Sequence, residues 1–335
     1  MEQNHWEGLD GLRAFAALGI VLMHVRANGA YEVPGFFYNT VIPSLTDFVF
    51  LFMAVSAFGL CSGYYERMCS GQIRMPVFYA RRLQRLLPFF AVMVLLDIAV
   101  SPSRSALIEG FADLTLFHGL LPDPGAISVI GVGWFVGVTF VFYLCFPFFC
   151  YLLETRRRAW LAMAAAVLWN LAAVYYFQVR RTSFLYSGCY FLAGGLLYLY
   201  RREIAAVPAL VWEVLAAAAV GLYYAVGGGS MPCLLVSAVL LAVGITCRSR
   251  LLCNPLTRFF SGISYEVYLS HMMVFRVLEK LHLTTLLGRG AASYVLTALL
   301  VLAGASVFSL AVQRLLRAAA HALQVRRGTA EGVKR

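Results

Sequence analysis

The sequence predicts an all-α polytopic membrane protein with about ten transmembrane helices in one bundle. Three observations carry that prediction. Of its 335 residues, 61% are hydrophobic and 13% charged, roughly half the charged share of a soluble domain. The mean hydropathy is +0.78. The apolar residues also fall in runs of spanning length, and the breaks between them alternate between arginine-rich and arginine-poor. The net charge of +11 comes almost wholly from arginine, since Lys280 and Lys334 are the only lysines. In such a chain a basic balance belongs to cytoplasmic loops and anionic headgroups, not to nucleic acid.

Each run is bounded by its polar neighbours. The first, 12–28, follows Asp10 and Arg13 and is apolar for ten positions before His24. The second is 45–64 and the third 86–100. A polar stretch with Glu109, Asp113 and Asp123 separates the third from the fourth, 132–153. Within that stretch 114–121 is too short to span and reads as re-entrant or interfacial, with His118 at the interface. The fifth run is 159–177, the sixth 184–200 and the seventh 207–226. A Gly227-Gly228-Gly229-Ser230 turn leads to the eighth, 231–247, and the ninth and tenth are 263–278 and 292–316.

Arginine placement sets the orientation. Arg67, Arg74, Arg81, Arg82 and Arg85 lie between the second and third runs. Arg156, Arg157 and Arg158 follow the fourth, Arg201 and Arg202 the sixth, and Arg248, Arg250 and Arg258 the eighth. The tail adds Arg314, Arg317, Arg326, Arg327, Lys334 and Arg335. With ten crossings these all fall on one side, so both termini are expected to be cytoplasmic; Arg180 and Arg181 are the main exception. The first eight residues lack a basic leader and no cleavage site follows the first run, so no removable signal is expected. There is no soluble domain and no long linker, so 1–335 is expected to be a single membrane domain. No internal repeat is evident, which weakens a transporter built from inverted halves. The eight cysteines lie in apolar runs or at their edges with no C-x-x-C spacing, and read as packing residues; no metal is expected.

Intramembrane ionisable residues are functional candidates by default. Arg13 and His24 are eleven residues apart, which returns them to within about 20° of one helix face, separated by about 16 Å of rise. Arg82 and Arg85 share a face of the third helix's start, just before Pro88. Planar, always-charged guanidinium groups suit phosphate recognition, although an ordinary positive-inside cluster explains the same pair. Ser56 is a lone serine within Phe52-Met53-Ala54-Val55-Ser56-Ala57-Phe58, and Trp134 opens an aromatic-rich fourth helix. The stretch from Asn254-Pro255 through Gly262-Ile263-Ser264-Tyr265-Glu266 to Tyr268-Leu269-Ser270-His271 leads into the ninth.

Together and in this order, these motifs resemble the acyltransferase 3 family of integral-membrane acyltransferases. Leu9-Asp10-Gly11-Leu12 with Arg13 and His24 is similar to its first signature, and Arg82, Arg85 and Pro88 to its arginine pair. Ser56 lies where the family has Ser-Gly-Phe, with Ala57 replacing the glycine. Asn254-Pro255, Gly262 to Tyr265, Tyr268-Leu269 and His271 are similar to its late motif. Many members carry paired glutamates in the fourth helix, where this chain has Thr139 and Phe140.

The resemblance implies transfer of an acyl group, usually acetyl from cytoplasmic acetyl-CoA, to a hydroxyl of a carbohydrate or glycolipid, such as a surface polysaccharide, at the inner membrane. Arg13, Arg82 and Arg85 would then hold the donor's phosphates. His24 would act as general base or as a covalent acyl relay. Ser56, Trp134, Glu266, Tyr268 and His271 would bind substrate or support the site. Two readings of His271 stand: it lines the same cavity, or it anchors its helix by bonding a backbone carbonyl. Glu266 lies about 140° from it around the helix and faces elsewhere, toward another group or an arginine. Asp10 caps the first helix or pairs with Arg13. His5, His282 and His321 read as solvated. The competing reading from another class is a transporter or flippase for a polar glycolipid or anion; a third is a non-catalytic relative that binds acyl-CoA.

Overall fold

The computed structural model describes residues 6–126, 130–247 and 249–332, with side chains described through residue 322. His5, Arg248, Lys334 and Arg335, and the side chains of Arg326 and Arg327, lie outside the described residues. Among the described residues there is no strand. In chain order the helices are α1 (Glu7–Asn28), the single turn α2 (Ile42–Ser44), α3 (Phe48–Cys69), α4 (Met75–Val100), α5 (Arg104–Thr115), α6 (Trp134–Leu153) and α7 (Arg156–Tyr175). They continue with α8 (Phe184–Leu199), the short α9 (Arg201–Ala206), α10 (Ala209–Ala225), α11 (Ser230–Thr246), α12 (Pro255–Lys280) and α13 (Ala291–Gly332).

Among the described residues, six stretches are long and apolar enough to cross a bilayer: α1, Phe37–Cys69, α4, α6, α7 and Ala291–Ala322. The helices α8, α10 and α11 are shorter but apolar. The long helices follow the ten predicted runs in order, and the chain is a polytopic membrane protein.

Two helices begin well before their apolar runs. The third run is expected from 86, yet α4 starts at Met75, so Arg81 lies inside the helix together with Arg82 and Arg85, the pair expected at its start. At 26 residues α4 is about 39 Å long, more than the roughly 30 Å hydrocarbon core. Its first turns therefore project from the bilayer and tolerate charge, and hydropathy does not see them. Similarly, α12 starts at Pro255 rather than 263. The Asn254 side chain accepts from Thr257 N at 2.9 Å and the Thr257 hydroxyl accepts from Asn254 N at 3.2 Å, a reciprocal cap with proline at the first helical position. The glycine turn before α11 behaves as its sequence requires: Gly227, Gly228 and Gly229 all have positive φ, at 79°, 83° and 112°.

The stretch 114–121 is a bend, not a helix. α5 ends at Thr115, Leu116 is left-handed, and a short 3₁₀ turn covers Phe117–Leu120. His118 is buried, which corrects the expectation that it sits at the interface. Its Nδ1 lies 3.6 Å from Asp113 Oδ1, both side chains being fully buried, and Phe90 stacks on the ring. Close approach of the Gly119 and Gly137 backbones draws this bend into the bundle.

α1 lies inside the assembly, with Ile20, Val21 and Val25 buried, and packs along α12. Asp10 meets Ser261 near the start of both helices and His24 meets His271 further along both, so the two run parallel. Parallel first and ninth spans are what an unbroken series of crossings demands. At the opposite end from Arg13, Asp47 ties α3 to its neighbours: Arg181 pairs with it at 2.8 Å and the Tyr223 hydroxyl donates to it at 2.7 Å. Arg180 similarly faces Asp123 at 3.5 Å. The exceptional arginines are thus each matched by a carboxylate.

Candidate active site

Two helices, α1 and α4, bring the sequence-predicted arginines to one place. On α1, Arg13 lies against α3 at Gly59; a Cβ there would stand 2.8 Å from Arg13 Nη2. Arg13 pairs with Asp10 at 3.8 Å, and Asp10 accepts from the Ser261 hydroxyl at 2.8 Å. Among the described residues no side-chain hydrogen bond caps the start of α1, and Asp10 pairs with Arg13. On α4, Arg82 Nη2 donates to the Tyr64 hydroxyl at 2.7 Å, and its guanidinium lies 4.6 Å from the Tyr64 ring centre and 5.9 Å from that of Tyr143. One turn on, Arg85 Nη1 lies 3.9 Å from Glu266 Oε1 of α12. Glu266 is buried and faces this arginine rather than His271.

Arg13, Arg82 and Arg85 line one cavity of about 560 Å³. Ser56 and Thr139 are on its walls, with Tyr143 beside Arg82. Phe52, Phe135 and Tyr268 also line it and touch one another, with ring centres 5.2 to 6.5 Å apart. Phe52 is seven residues from Gly59 and Phe135 eight from Tyr143, so these rings sit about 10–12 Å along the helices from the guanidinium groups. They form the inner end. Trp134 is not on the wall; it stands edge-on behind Phe135, its ring centre 6.3 Å away.

Two buried polar atoms on the wall have no partner, Arg82 Nε and Thr139 Oγ1. A buried donor left unsatisfied costs about 1–3 kcal/mol. Arg82 Nε can only donate, so the partner it lacks is an acceptor. Three guanidinium groups and an orphaned N–H together fit a phosphate-bearing ligand.

The histidines stand beyond Tyr268, outside the cavity wall. His271 is fully buried, with its ring centre 6.1 Å from that of Tyr268 and 4.9 Å from that of His24. Its Nδ1 is 2.7 Å from the Tyr268 carbonyl and 3.2 Å from that of Val267. Its Nε2 is 3.1 Å from His24 Nδ1, which is also 3.0 Å from the Ile20 carbonyl. Of the two readings of His271, the structure shows the bond to carbonyls of its own helix and not a place on this cavity's wall, and it adds the contact with His24. His282 and His321 are exposed, as read from the sequence.

The residue-level reading missed Phe135, Thr139 and Tyr143 as one surface. Their spacing of four along α6 was the available signal, since it places all three on one helix face. Ala57, where the motif has glycine, is accommodated across the interface: its methyl faces Gly194 of α8.

A family model described as an acyltransferase domain, that of acyltransferase 3, matches residues 6–314. The chain belongs to the acyltransferase 3 family. It is a membrane acyltransferase, and the enzyme reading prevails over transport. Comparisons with curated proteins and with solved structures found no match. The match to the acyltransferase 3 family runs from the start of α1 into α13, and so takes in every helix that contributes to the cavity and the histidine pair.

Proposed function

We propose that this acyltransferase moves an acyl group, acetyl in the first instance, from acyl-CoA on the cytoplasmic side of the inner membrane to a hydroxyl of a surface carbohydrate or glycolipid. One observation carries the reading: three guanidinium groups share a cavity whose aromatic inner end abuts the His24–His271 pair. Arg13, Arg82 and Arg85 hold the donor's phosphates, and Arg82 Nε gains its missing acceptor. The donor's thin arm extends toward His24, about 16 Å along α1 from Arg13. The rings of Phe52, Phe135 and Tyr268 turn aside to let it pass. Both termini are cytoplasmic in this reading, because the arginine-rich loops gather at the Arg13 end.

His24 then acts as general base. It takes the proton of the acceptor hydroxyl as that oxygen bonds to the thioester carbonyl carbon. The carbon–sulfur bond breaks, and the leaving thiolate receives the proton from His24. The ester and free thiol that result leave His24 neutral again. Arg13, Arg82 and Arg85 keep the donor in place through both half-steps without taking part in proton transfer.

The test is thiol release from acetyl-CoA by the purified protein, with and without candidate sugar acceptors, paired with analysis of surface polysaccharide from cells lacking the chain. Acceptor-stimulated thiol release and loss of acyl groups from the polysaccharide are expected. An intact polysaccharide together with no thiol release on any acceptor would overturn the reading.

A further inference from the structure

We propose that His271 is a positioning residue that fixes His24 in the tautomer protonated at Nδ1, so that the Nε2 lone pair is the base. The proposal rests on the role given to His24 above. It follows from counting hydrogens. His271 Nδ1 faces two backbone carbonyls, at 2.7 and 3.2 Å. A carbonyl oxygen only accepts, so Nδ1 carries the hydrogen. A neutral imidazole has a single N–H, and the lone pair of His271 is therefore on Nε2. That lone pair lies 3.1 Å from His24 Nδ1, which also faces the Ile20 carbonyl at 3.0 Å. Two acceptors converge on one nitrogen, and the hydrogen must be there.

The other tautomer fails on the same count. With the hydrogen on His24 Nε2, the lone pairs of His24 Nδ1 and His271 Nε2 and the Ile20 oxygen would meet with no proton between them. In a buried, low-dielectric site such an arrangement is costly. The charged groups nearest to the pair along α12 are engaged elsewhere, Glu266 with Arg85 and Arg276 with Asp97. A neutral acceptor also suits the setting. A carboxylate at this depth would be costly to desolvate, whereas imidazole supplies a lone pair without resident charge. When His24 takes up the hydroxyl proton at Nε2, its Nδ1–H stays shared between His271 and Ile20, and the imidazolium is held in place until it returns the proton.

The test is ¹⁵N spectroscopy of the purified, histidine-labelled protein, with the His24 signal assigned by its absence from His24→Gln. In the wild-type protein neutral His24 is expected to be protonated at Nδ1; a signal protonated at Nε2 overturns the proposal, whatever the variants do. His271→Leu fills the space but offers no acceptor, and His271→Gln restores an amide oxygen. His271→Leu is expected to lower kcat for thiol release from acetyl-CoA with a free hexose as acceptor at least ten-fold, with KM for acetyl-CoA within two-fold. His271→Gln should recover at least three-fold of that loss. A kcat for His271→Leu within two-fold of wild type overturns the proposal. Near-normal transfer by His24→Gln would instead overturn the role of His24 itself, which the tautomer measurement does not depend on.

Discussion

In the proposed mechanism His24 and the three arginines divide the work of the site by depth, and each substitution should separate one task from the other. His24→Gln keeps a hydrogen-bonding side chain but cannot take up a proton. Transfer is expected to fall a hundred- to ten-thousand-fold, the usual contribution of a positioned base, while acetyl-CoA still binds. A drop of only a few-fold would reduce His24 to a packing role. Arg82→Lys with Arg85→Lys preserves charge but removes the planar fork, and donor affinity is expected to weaken about ten-fold, the loss of one charge-assisted hydrogen bond. Unchanged affinity in a direct binding measurement would leave these arginines with a topological role alone. The sequence made Arg13 and His24 legible because a spacing of eleven is a statement about one helix. It did not reveal that His24 and His271, 247 positions apart, share a hydrogen bond, because that depends on how α1 and α12 lie side by side. His118 was misread for a related reason. A histidine among acidic residues looks interfacial until the bend that buries it against Asp113 is known.

At the scale of elements, the spacing of α1 against α3 decides where Arg13 can stand. Gly59 leaves room for the guanidinium, and an added methyl would come within 2.8 Å of Nη2. The obstructing atom is the far end of a flexible side chain, so Gly59→Ala should fold; alanine is also the better helix former by about 1 kcal/mol. Arg13 would have to swing away from the cavity. The expected result is an unchanged or raised unfolding temperature together with a several-fold higher KM for acetyl-CoA. An unaltered KM would show that the Arg13 head group is dispensable for donor binding. The ten long apolar helices were legible, because a run of apolar residues must be shielded from water whatever its neighbours do, whereas α5, inside the polar stretch before α6, was not. Helix starts were the less legible part. The cap at Asn254-Pro255 lies ahead of the apolar run of α12, and the charged first turns of α4 carry no apolar signal, so both helices reach further back than their runs.

At the scale of the molecule, most of the described arginines lie at one end and α1 and α12 run parallel. The second fact constrains topology independently of charge. Two spans can be parallel only if an even number of crossings closes the path from the start of one to the start of the other, and α3, α4, α6, α7, α8, α10 and α11 with α1 itself make eight. Charge then chooses the side. In the proposed orientation Arg156, Arg157 and Arg158 mark the cytoplasmic end of α7, and the turn at Pro124–Ala126 faces outward, on the side where Arg180 and Arg181 are neutralised by Asp123 and Asp47. Ala126 and Arg157 are both exposed and suit single-cysteine labelling, in a background with the exposed Cys69 and Cys145 changed to serine. A membrane-impermeant maleimide added to intact cells is expected to label Ala126→Cys and to spare Arg157→Cys until the cells are opened. The opposite pattern would place the arginine cavity on the outer face. Acyl-CoA does not reach that face, so the donor assignment would fall with the orientation, while the pairing of His24 with His271 inside the bundle would be untouched.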